Sequence, residues 1–196
     1  MGIGAIGQNT NLLWGNAKIQ NKVKQGDFQN TMCTVESSGK SIQIHGLYGS
    51  VDENGSQVVG GWGDAIAGTS TTVYKPANFN PAEPVYTMKI WDSNNNLIEE
   101  RSVNLDEVDI NNCDTFDMYA YSCYLSNSGK YPDAMDKYFM MPAQKNGFDT
   151  NYDLSNMYEK QDWISVLKDF MDMQYKLGNH YGYMDYKKFH DFLADL

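Results

Sequence analysis

No run of about 20 apolar residues occurs anywhere in the chain, so no membrane-spanning helix is expected. The first residues also lack a basic segment leading into an apolar one, which argues against a cleaved signal peptide. The expected location is the cytoplasm, or the exterior reached without a cleaved signal. Cysteine is scarce. Cys33, Cys113 and Cys123 form neither a CxxC pair nor a Cys/His metal pattern, and an odd, sparse count fits a reduced compartment. Basic residues are few: 15 Lys and Arg stand against 25 Asp and Glu, a formal net charge of −10. An acidic body repels phosphate backbones and anionic bilayers, so nucleic-acid and membrane-surface partners are disfavoured. The letters of GxGxxG occur at Gly2 to Gly7, but no strand precedes them to aim a loop at a pyrophosphate. No cofactor and no metal site are expected.

What is present is a chain long enough to bury roughly 70% of its unfolded surface without a staple. Its charge is uneven. Residues 1–26 carry Lys18, Lys22 and Lys24 and no acid, and they are rich in Gly, Asn and Gln. They read as a flexible tail before an α+β domain over 27–196, in which an antiparallel sheet from about 31–104 packs against three to four helices from about 112–196. Met32–Glu36 and Ser41–Tyr48 read as a hairpin, with His45 on the polar side of its second strand. Val51–Gly68 is Gly-rich and reads as a loop, or as a weak hairpin returning at Gln57–Val59. Thr69–Lys75 is a β-branched strand. Val85–Trp91 and Leu97–Val103 form the clearest hairpin, turning at Asp92-Ser93-Asn94-Asn95-Asn96. That turn shares Asp92, Asn94 and Asn96 with a calcium loop, but Leu97 and Val103 stand where Gly and Glu are needed, so a simple turn is expected.

The second half reads as helices. Asn111 or Asn112 caps one over Thr115–Leu125, and Pro132 opens another running to Met140. From Asp162, the residues Trp163, Val166, Leu167, Phe170, Gln174 and Leu177 share one face, with Gly178 as the stop. Asp185 reads as the next N-cap, with Met184 and Phe189 as its staple, and Tyr186, Phe189, Leu193 and Leu196 as the buried face.

Candidate chemistry is thin. His180 and His190 flank this last turn among Tyr181, Tyr183 and Asp191, an arrangement open to acid–base work and equally to rim packing. Asp114 and Asp117 disfavour a thiolate at Cys113 or Cys123, so idle thiols are expected. Asp162, Asp169 and Asp172 alternate with lysines and read as a solvated face. Fourteen tyrosines exceed the needs of a core; Tyr119, Tyr121, Tyr124, Tyr131, Tyr138, Tyr181 and Tyr183 belong either to a binding patch or to a helix–sheet seam. Three functions are weighed. The first is a non-enzymatic binding or structural protein with an unknown protein partner, associated with the surface or with flagellar-type export, in which Phe28 docks. The second is a small hydrolase using a His/Asp pair, and the third a cytoplasmic regulator of a basic partner. The candidate binding residues are Tyr181, Tyr183, His180 and His190.

Val73-Tyr74-Lys75-Pro76 with Phe79, Pro84-Val85-Tyr86, the segment Asn111–Leu125 and the ending Met173–Asn179 through Tyr186–Phe189 together carry a likeness. Residues 70–196 resemble a family from anaerobic Gram-positive gut bacteria. The family has no established function, so the resemblance implies a fold and no site.

Overall fold

A computed structural model describes residues 33–37, 40–141 and 153–196. The tail reading, Phe28 and the segment 142–152 lie outside the described residues. The architecture is α+β, with strands in the first half and helices in the second. Strands β1 (Cys33–Ser37) and β2 (Lys40–Ile44) form an antiparallel hairpin. Strands β3 (Gln57–Asp64), β4 (Thr69–Lys75), β5 (Val85–Asp92) and β6 (Leu97–Asn104) form an antiparallel meander in chain order. Helices α1 (Thr115–Ser128), α2 (Ala134–Met140), the single turn α3 (Leu154–Met157), α4 (Trp163–Lys176) and α5 (His180–Ala194) follow.

Strand β3 is longer than the sequence pattern suggests. Gly60, Gly61 and Gly63 lie inside a paired strand, where a loop was expected. Both sheet faces explain this. A Cβ on Gly60 would come within 2.4 Å of Cys123 Sγ and 2.9 Å of the Tyr119 hydroxyl, both on α1. Cβ atoms on Gly61 and Gly63 would press Ile44 at 3.1 and 3.2 Å. The strand is stripped of side chains so that α1 and the β1–β2 hairpin can approach it from opposite sides. Strand β2 ends at Ile44, before His45 and Tyr48, because Gly46 turns the chain at a φ of 81°.

The β5–β6 turn is as expected. Asp92 Oδ1 accepts from the backbone N–H groups of Asn94 and Asn96, and Oδ2 from the Asn96 side-chain amide, so the loop itself consumes the carboxylate. Asn95 takes the left-handed φ of 68° that Asn tolerates.

Helix α1 lies at the centre. Phe116, Met118, Tyr119, Ala120, Ser122, Cys123 and Leu125 are all fully buried, and the side of Asp117 and Tyr121 is half-exposed. It starts at Asp114 rather than at Asn111 or Asn112. Asp114 Oδ1 accepts from the Asp117 N–H at 2.8 Å, while Asn111 and Asn112 are exposed in the preceding turn. Gly129 closes it at a φ of 74°. Pro132 stands one residue before the N-cap Asp133 of α2, outside the helix.

The α4–α5 pair packs on α2 and on the segments that flank α1. Trp163 Nε1 donates to the Cys113 carbonyl at 3.1 Å, and Tyr131 sits between Phe189 and Phe192 at 4.8 and 5.0 Å. Phe170 and Phe189 point inward as expected. Two features of the pair differ from the sequence reading. Helix α5 starts at His180, because the Asn179 side chain accepts from the Gly182 N–H and opens it six residues before Asp185. Asp185 is mid-helix and pairs with Lys137 of α2. Leu177 and Leu196 are exposed, since the apolar period runs on past the end of the surface that α2 and the α1 flanks supply.

Candidate functional site

The four residues singled out from the sequence do not converge. His180 opens α5, and His190 lies ten residues on, about 15 Å along a helix. His190 Nδ1 lies 3.2 Å from Asp191 Oδ1, but Lys187 also engages that carboxylate. His180 is therefore out of reach of Asp191, and no third group completes a triad around His190 among the described residues.

The asparagine cap instead gathers His180, Tyr181 and Tyr183 at one end of the α4–α5 pair. The Tyr175 ring meets His180 at 5.4 Å and Tyr183 at 5.6 Å, both edge-on. Around them Leu177 is 73% exposed, Tyr181 83%, Tyr175 58% and Met184 52%. Residues 173–184 contain no carboxylate in a chain with 25 of them. The local reason for this surface is the turn. Gly178 at a φ of 75° ends α4 with its N–H bonded to the Tyr175 carbonyl, and Asn179 restarts the chain at once. The two helix ends thus present their side chains beyond the body that covers the rest of the pair. Leu177, Tyr175 and Met184 were not marked as binding candidates, because periodicity alone placed Leu177 in the core.

The other tyrosines serve the seam. Tyr119 and Tyr138 are buried with their rings 5.3 Å apart, both edge-on to Trp62 of β3. The Tyr138 hydroxyl donates to the Thr115 carbonyl at 3.0 Å. Tyr86 and Tyr124 are buried and meet edge-on at 5.9 Å.

A concentration of charge lies where β6 meets α1. Arg101 donates to Glu99 at 2.6 Å, to Asp114 at 2.9 Å and to Asp117 at 3.0 Å, and its guanidinium lies over the rings of Phe116 and Tyr158. The Tyr158 hydroxyl donates to the other Glu99 oxygen at 2.7 Å. Burial works against the guanidinium charge, but hydrogen bonds to Glu99 and Asp114 outweigh it and the pKa is raised. Burial, then the neighbouring Asp114, pushes the Asp117 carboxyl up, and Arg101 offsets only part of this. One cation holding three carboxylates is a tie between sheet edge, α1 and the α3 region. Beside it an open depression of about 400 Å³ is lined by Glu107, Asp109, Asn112, Asp117 and Lys160 among others.

The Cys113 and Cys123 thiols are inert by environment. Burial and then the carboxylates of Asp117, Asp114 and Asp109 push Cys113 up to about 12, and burial raises Cys123 further. Asp162 caps α4, accepting from the Ser165 N–H and hydroxyl, so it is not part of a carboxylate cluster with Asp169 and Asp172. No group of three or more His, Cys, Asp or Glu among the described residues is placed to hold a metal ion, and no helix among them is long and apolar enough to cross a membrane. Compared with known protein families, curated proteins and solved structures, the chain matches none.

Proposed function

We propose that this is a non-enzymatic binding protein that works through protein–protein contacts, with the tip of the α4–α5 pair as its contact surface. One observation carries the reading: Tyr175, Leu177, Tyr181 and Met184 are each more than half exposed and lie together across one helix–turn–helix corner. Scattered exposed apolar residues are ordinary, but a contiguous group rich in tyrosine and methionine is the composition of recognition surfaces. Tyrosine gives a large contact area at a low cost in rotamer freedom, and methionine adapts to a partner's shape. The cap geometry holds the backbone under these side chains, so little ordering is needed on binding.

The reading is tested by co-purification from the native host with the wild-type chain and with Leu177→Ser combined with Tyr181→Ser. Discrete proteins retained by the wild type and lost by the variant, at an unchanged melting temperature, are expected. Identical retention by both would overturn it.

A further inference from the structure

The β1–β2 hairpin lies on the sheet face opposite the helices, where β2 packs over β3 and β4 with Ile42 almost wholly buried. Ile44 enters the hollow over Gly61 and Gly63. The Thr72 hydroxyl donates to the His45 carbonyl. The His45 ring lies flat on the buried indole of Trp91, centroids 3.9 Å apart and planes 13° off parallel. Directly after it, Gly46 turns the chain in the left-handed region.

His45 Nε2 is buried and has no hydrogen-bond partner among the described residues. A neutral imidazole can leave one ring nitrogen as an idle acceptor. An imidazolium has two N–H donors and a charge, and a buried donor without an acceptor is costly. The surroundings offer little compensation. Lys89 and Glu100 share the outer sheet face with Thr72 but pair with each other, at 3.6 Å. Tyr74 on the same face lies under Lys89. The Asp92 carboxylate is held by the Asn94 and Asn96 amides, and Asp64 by the N–H groups of Ile66 and Ala67.

We propose that the β1–β2 hairpin is a pH-sensitive cover, held over the outer face of the sheet while His45 is neutral and released when His45 takes a proton. Burial depresses the His45 pKa, and the Asn95 side chain offsets this only in part. Released, the ring takes up its proton near the ordinary value of about 6.5, so the released form binds more protons over the interval below it. The docked form is therefore favoured above that value and loosens as pH falls. Release uncovers Trp91 and Val58, both buried when the hairpin is docked.

Hydrogen exchange on the full chain tests this, with rates corrected for the intrinsic effect of pH. Between about pH 8 and about pH 5, exchange of the 40–44 amides should accelerate roughly tenfold or more relative to those of β5. His45→Phe keeps a flat ring on Trp91 and cannot titrate, so its hairpin should stay protected across the range. Unchanged protection in the wild type, or equal acceleration in His45→Phe, would overturn the proposal. Should that variant not fold, the wild-type His45 ring resonance decides: its indole ring-current shift should vanish on protonation, and a shift that persists contradicts release.

Discussion

Helix α1 and the corner between α4 and α5 are built from similar residues to opposite ends. Both are rich in tyrosine. In α1 these side chains meet the sheet at Trp62 and α2 at Tyr138, and the charge is confined to the capping turn, where Arg101 holds Asp114 and Asp117. At the corner the same residue types have no covering layer among the described residues. Composition therefore does not decide whether a tyrosine is core or surface; the supply of a facing element does.

Four tests by substitution separate the two regions. Phe116→Ala should be the most damaging, at about 3–5 kcal/mol, because the ring is fully buried and its neighbours Tyr158 and Arg101 cannot collapse into the space. Chemical denaturation reads this directly. Gly60→Ala should cost about 1–3 kcal/mol by overpacking against Cys123 and Tyr119. Adding Cys123→Ala should recover part of the loss, giving a non-additive double-mutant cycle. Asp117→Asn sharpens the contrast at the charged end of α1. The Asp117 pKa is raised in the folded state, so its ionisation works against folding as pH rises. The stability of the Asn variant relative to wild type should increase from about pH 3 to pH 7; a difference independent of pH would mean that the carboxyl is not strained by Asp114 and burial. Leu177→Ser with Tyr181→Ser should be the mildest change, within about 0.5 kcal/mol of wild type, since neither side chain leaves a buried site.

Much of this architecture was legible in local pattern. The β-branched run of β4, the Asx-rich turn after Asp92 and the inward faces of Phe170 and Phe189 all follow from spacing and turn chemistry. The parts that were not legible depend on distant partners. The glycines of β3 signal a loop by propensity; they are strand residues because Cys123 and Ile44 need the room. Asp185 has the chemistry of an N-cap, but Lys137 from α2 claims it and Asn179 caps instead. Leu177 keeps the period of the α4 stripe, yet the stripe outruns the surface it packs on. The candidate site was half visible for the same reason. His180, Tyr181 and Tyr183 were marked, while Tyr175, Leu177 and Met184 became part of it only once the corner was seen to be uncovered.

Residue-resolved native-state hydrogen exchange tests the contrast most directly. If α1 is the centre of the core, the amides of residues 118–125 should exchange only through global unfolding, while those of residues 173–184 exchange through local opening at much lower free energy. Exchange in α1 as fast as at the α4–α5 corner would contradict the account.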